Sequence, residues 1–187
     1  KNGRKNPKPK YFFKKTFPSL GYLDADNAFG HAAGMRAIDH CIKIANIQGI
    51  GVVAVINSSH PDAMASMALK ADRKGYIAFA YTHADSLNLS HNGKIPYFGT
   101  NPICFAVPRK KSEGPYCLDM VTSMISWNKL LGLNSQKLPM EKHFAADKNG
   151  DMTTNPEGVI YLFPAGMNGH FCGLSYLGPK EVFIIVL

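Results

Sequence analysis

Residues 57–102 read NSSHPDAMASMALKADRKGYIAFAYTHADSLNLSHNGKIPYFGTNP, and they follow the apolar run IGVVAVI at 50–56. A nearly continuous apolar run of that length predicts a strand buried on both faces. Asn57-Ser58-Ser59-His60 then forms the loop beyond it. Pro61 suits the first turn of a helix, Asp62 favours its positive end, and Gly75 ends it. The run YIAFAY at 76–81 is the next strand, and the GTNP at 99–102 is a rigid turn, because Asn101 precedes a proline. Strand, helix and strand in that order place one titratable ring, His60, at a strand end, where α/β proteins carry their chemistry.

The same reading extends in both directions. Residues 1–19 form a basic, irregular or edge segment, and 20–187 form a single α/β domain with no repeat and no dividing linker. Residues 22–24 form a short strand. Asp26 or Asn27 caps a helix that runs to Gln48, with Met35, Ile38, Ile42 and Ala45 on one face and Gly49 as its stop. On the other side, Ile103–Val107 and Tyr116–Met120 are strands. Thr122 or Ser123 caps a short helix with Ile125, Trp127, Leu130 and Leu131, and DKNGD at 147–151 is a turn. Strands alternating with helices define the class as α/β, a mixed sheet flanked by helices. The apolar run VFIIVL at 182–187 is strongly β-prone, so either it is an interior strand or the chain is cut off from a longer one.

Charge and cysteine content narrow the classes. The formal net charge is +8, yet seven of the 21 basic residues fall within 1–15 and no acid precedes Asp24. The other 14 basic residues face 13 acidic ones, so the charge belongs to one arm. An arm with Pro7 and Pro9 and no reading motif does not predict nucleic-acid binding. No apolar stretch reaches membrane-spanning length and no secretory leader opens the chain. Cys41, Cys104, Cys117 and Cys172 form no CxxC pair, which predicts buried free thiols and a cytoplasmic location.

Of seven histidines, His60 has the firmest support. His31 and His40 fall on the first helix, His143 in a charged loop, and His91 and His170 in glycine-containing loops. The sequence holds no GxGxxG after a strand, no GxxxxGK[ST], no GxSxG and no HExxH. His83 and Asp85 are two residues apart but lack a third ligand nearby, so no metal site is predicted.

Several motifs then fall into one order: LDADNAFGH at 23–31, NSSH at 57–60, GTNP at 99–102, LDMVTS at 118–123, Trp-x-Lys at 127–129 and DKNGDMTTNP at 147–156. In that order the chain resembles the malate/L-lactate dehydrogenase family, whose fold is not of the Rossmann type. The resemblance covers about residues 18–175. It implies an oxidoreductase that uses NAD or NADP to move a hydride to or from a small 2-hydroxy or 2-oxo acid, working as a homodimer. His60 matches the family's catalytic histidine. Asp119, Met120 and Val121, with Asn168 and Gly169, match cofactor contacts.

The departures from the family are equally specific. Asn168-Gly169 stands where the family has Lys-Gly, so a positive charge for the phosphates is missing. Ala84 replaces a serine, and Ser90-His91-Asn92-Gly93 replaces a Pro-x-Gly-Gly stretch. Pro61-Asp62 puts a carboxylate beside the catalytic ring, where it repels an acidic substrate. The chain also looks truncated at both ends relative to the family. The alternative reading is therefore a catalytically inactive relative that serves as a binding or structural module.

Overall fold

A computed structural model describes residues 5–90, 92–110, 112–165 and 182–187. They gather into two compact units. The first holds the described residues up to 82, residues 103–120 and the carboxy-terminal strand; the second holds those of 83–102 and 121–165.

The first unit is built on strands β1 (Phe12–Phe17), β2 (Leu20–Ala28), β3 (Gly51–Ser58), β4 (Ala78–Thr82), β7 (Ile103–Val107), β8 (Tyr116–Met120) and β12 (Val182–Val186), with helices α1 (Gly30–Gln48) and α2 (Ala65–Asp72). Its sheet has the order β1-β2-β3-β12-β4-β7-β8. Only β2 and β3 pair in parallel; every other neighbouring pair is antiparallel. The directions therefore bring the carboxyl ends of β2, β3, β4 and β8 to one edge of the sheet. The mixed α/β architecture is the one expected.

The central strand is β12. It pairs over five residues with β3 on one side and over five with β4 on the other. Ile184 sits opposite Val53 and Ala80, and both Ile184 and Val186 are fully buried. VFIIVL thus forms an interior strand. Helix α1 packs on β3 and β12, and α2 packs on β4, β7 and β8. Met64, Met67, Ala68 and Ala71 meet Cys104 and Ala106 in this core. Burying each large apolar side chain contributes about 1.5–3 kcal/mol.

Several boundaries differ from the sequence reading, each for a physical reason. The arm is not irregular throughout, since Phe12–Phe17 is an edge strand zipped to β2 with a bulge between Lys15 and Phe17. Its side chains show no apolar alternation because most face solvent. In β3 only Gly51, Val53 and Val55 are fully buried, while Val52, Ala54 and Ile56 are half-covered. One helical layer covers only one face. Asp26 and Asn27 do not cap α1; both take left-handed backbone angles (φ 48° and 57°) that finish β2, and α1 begins at Gly30. Its end is as expected: Gly49 is left-handed at φ 78° and donates to the Ala45 carbonyl.

The second unit contains β5 (Asn88–Leu89), β6 (Pro96–Phe98), β9 (Ala145–Ala146), β10 (Met152–Thr153) and β11 (Tyr161–Leu162), with α3 (Trp127–Ser135). These strands pair only among themselves, in the order β10-β9-β11-β5-β6. Ile125, Leu130, Met140, Ala145, Val159 and Leu162 form their own core. Within the span 20–187, each of the two units thus has its own sheet and core. Ser126, not Thr122 or Ser123, caps α3, its Oγ accepting the Lys129 N–H at 3.2 Å. The 147–151 turn forms as read, with Asp147 Oδ1 accepting the N–H groups of Asn149 (2.8 Å) and Asp151 (3.1 Å).

Candidate active site

His60 lies two residues past the end of β3, on the sheet edge where β2, β4 and β8 also finish. Its loop is pinned at both ends. At the start, the Ser59 N–H donates to the Ala28 carbonyl at 3.1 Å, and Ser59 Oγ accepts the Gly30 N–H at 2.9 Å. Any side chain at position 30 would strike the Ser59 and His60 carbonyl oxygens, so α1 must begin on a glycine here. At the far end, Met64 is fully buried and Asp119 Oδ2 accepts the Ala65 N–H at 2.7 Å. Between these anchors the His60 ring is exposed, and its Nδ1 accepts the backbone N–H of Asp62 at 3.0 Å.

That geometry revises the reading of Pro61-Asp62. The helix does not start there; it starts at Ala65, after Asp62 takes a left-handed φ of 66°. Asp62 thus meets the catalytic candidate through its amide. The carboxylate at the positive end of α2 belongs to Asp119, from the opposite end of the sheet order. Nothing local in 116–120 points to a helix more than fifty residues earlier; only the pairing of β8 beside β7, under α2, creates the contact.

An exposed carboxylate at a helix N-terminus contributes roughly 0.5–2 kcal/mol. Asp119→Ala is expected to destabilise the protein by about 1 kcal/mol in urea unfolding, and Asp119→Asn by less, because an amide oxygen still accepts the Ala65 N–H. Equal losses in the two variants would contradict the capping role.

Asp119 and Met120 close β8 in the first unit, and Val121, half-buried, is the next residue and opens the second unit's segment. The Asp119 side chain is exposed, and one of its two oxygens is engaged by Ala65. A ribose hydroxyl can donate to the other, so the carboxylate fits a nucleotide sugar. Asn168 and Gly169 lie outside the described residues.

Cys104 sits opposite Asp119 in the β7–β8 register. Burial first, then the Asp119 charge, pushes the Cys104 thiol well up; burial likewise raises Cys117. Burial takes Cys41 to about 12. Cys41, Cys104 and Cys117 are all free, and protonated thiols of this kind are poor nucleophiles. They pack the sheet. Among the described residues no three His, Cys, Asp or Glu side chains converge as a metal site.

Within the second unit, the GTNP turn is a hub. Asn101 Oδ1 accepts the Ala84 N–H at 3.1 Å, and Asn88 Nδ2 donates to the Gly99 carbonyl at 3.1 Å. The Thr100 carbonyl accepts both the N–H (2.8 Å) and the hydroxyl (3.0 Å) of Thr122. A side chain at Gly99 would run into the Ala84 carbonyl and Asn101 Oδ1. The motif is a structural clasp, as an Asn-Pro turn predicts.

Residues 1–175 match the sequence model of the malate/L-lactate dehydrogenase family. The chain is 34% identical over 163 residues to ureidoglycolate dehydrogenase (NAD(+)) of Escherichia coli K12, covering 87% of this chain and 46% of that protein. It is 32% identical over 191 residues to L-sulfolactate dehydrogenase of Methanocaldococcus jannaschii, covering 97% and 55%. The solved structure of sulfolactate dehydrogenase from the same organism superposes with a TM-score of 0.82 at 26% identity, over 99% of this chain and 61% of that one. The chain thus spans about half the length of the curated relatives it matches.

Proposed function

Because the chain belongs to the malate/L-lactate dehydrogenase family, we propose that it serves an NAD- or NADP-dependent oxidoreductase acting on a small 2-hydroxy acid and its 2-oxo partner. The observation that carries this reading is His60, an exposed imidazole at a strand end whose loop is pinned at both ends and leaves the ring's Nε2 for a reactant. Asp119, Met120 and Val121, with Asn168 and Gly169, are the residues that would hold the NAD or NADP, and that group would supply or take the hydride. His60 would manage the proton on the substrate oxygen: as imidazolium it gives one to the oxygen of the oxo acid while the hydride reaches the carbon, and as neutral imidazole it takes up the hydroxyl proton in the reverse direction. Asp119 contributes an exposed carboxylate for sugar hydroxyls while its other oxygen keeps the His60 loop in place.

The finer parts of the reading follow from the same features. Three free cysteines fit a reducing, cytoplasmic setting. No helix among the described residues is long and apolar enough to cross a membrane. Exposed Phe12, Phe17 and Leu20 along β1 and β2 offer apolar surface for a second copy, in keeping with a homodimer.

The chain's single tryptophan, Trp127, provides the test. Titration with NADH and with NADPH is expected to change its fluorescence saturably and to raise the melting temperature. A folded protein that shows neither change at millimolar cofactor would sink the dehydrogenase reading. It would favour the inactive relative, which Asn168 in place of a lysine also supports.

A further inference from the structure

The contact between His60 and Asp62 does more than steady a loop. A backbone N–H can only donate, so the nitrogen that accepts from it, Nδ1, carries no proton. The neutral ring must then hold its proton on Nε2. We propose that Asp62 is a positioning residue whose left-handed backbone aims its amide at His60 Nδ1, fixing the ring as a hydrogen-bond donor at Nε2 toward the carbonyl oxygen of a 2-oxo acid. The substrate half of this proposal rests on the dehydrogenase reading; the positioning half does not.

Three observations converge on it. The donor–acceptor distance is 3.0 Å, well within hydrogen-bonding range. Asp62 has φ 66°, a region that aspartate, asparagine and glycine tolerate and β-branched residues do not. The loop is held at both ends, Ser59 being bonded to Ala28 and Gly30 and Ala65 to Asp119. The sequence feature that set this chain apart, a Pro-Asp pair directly after the histidine, is thereby given a use. Proline fixes its own φ, and the next residue supplies the amide.

A donor at Nε2 suits an oxygen that only accepts, as the 2-oxo carbonyl does. A ring locked this way is set to grip the oxo acid; giving a proton to the reduced oxygen, or taking one from a hydroxyl, requires the Asp62 bond to open first, because the ring then carries a proton on Nδ1.

The test reads the hydrogen bond directly. In the full chain labelled with 15N, a through-hydrogen-bond coupling between the Asp62 amide nitrogen and His60 Nδ1 is expected, with the ring assigned by its loss in His60→Gln. The coupling persists in Asp62→Gly, which keeps the left-handed backbone, and disappears in Asp62→Val, which does not. Pyruvate and oxaloacetate serve as the 2-oxo acid probes, with cofactor bound. Asp62→Val is expected to weaken the oxo acid that binds by about tenfold, the order of one hydrogen bond, with cofactor affinity unchanged and Asp62→Gly restoring it. No coupling in the folded wild type, or a coupling untouched by Asp62→Val, overturns the positioning role. A coupling that behaves as described in a protein binding neither probe leaves Asp62 as a positioning residue and removes the 2-oxo acid.

Discussion

His60→Gln is expected to lower kcat by about 10²–10⁴-fold, the usual contribution of a positioned acid–base group, while cofactor binding stays nearly unchanged. Glutamine is similar in reach and still hydrogen-bonds, but it exchanges no proton near neutral pH. The ring is exposed, so its loss opens no cavity, and the anchors of its loop are backbone groups and other side chains: Ser59, Gly30, Met64 and Asp119. The fold and the Trp127 titration should therefore survive the change. Steady-state rates with a 2-hydroxy acid, alongside the fluorescence titration, check this. A variant with intact kcat and weakened cofactor binding would show that His60 binds and does not transfer protons.

Ile184→Ala is expected to have the largest effect on stability, about 2–5 kcal/mol. Ile184 is fully buried at the middle of β12, flanked by Val53 on β3 and Ala80 on β4. Truncation leaves a void between two strands whose backbones are locked by hydrogen bonds on both sides, so little can collapse into it. That loss is a large share of the roughly 5–15 kcal/mol that holds a typical domain folded. Ile47 on α1 is 75% exposed and serves as the control; Ile47→Ala should stay within about 0.5 kcal/mol of the parent. Denaturant midpoints for the two variants decide the matter. Similar midpoints would mean that β12 does not occupy the centre of the sheet.

The sequence reading was most accurate where one local signal dominates. Ile103–Val107 and Tyr116–Met120 came out as strands with their observed ends, and Gly49 stopped α1 as its left-handed angle requires. It was less accurate where distant residues decide. The start of α2 moved from Pro61 to Ala65 because a carboxylate on β8 awaits the Ala65 amide. The half-covered side of β3 could not be read from IGVVAVI, since an apolar run does not reveal whether its sheet carries helices on one face or two. The two-unit division was hidden as well, because the chain leaves the first unit at Thr82, returns at Ile103 and leaves again after Met120 with no linker-like composition to mark the crossings. His60 was legible from its place after a strand; the left-handed Asp62 beside it was legible only as a Pro-Asp oddity.

The position of β12 has a consequence for biogenesis. During translation β3 and β4 emerge from the ribosome well before the segment that must lie between them. Until then each presents an unpaired backbone edge, and the sheet can close only through contacts of very long sequence separation, which form slowly. Such a nascent chain is a natural client for holding chaperones, and its yield in a cell should depend on them more than its final stability would suggest.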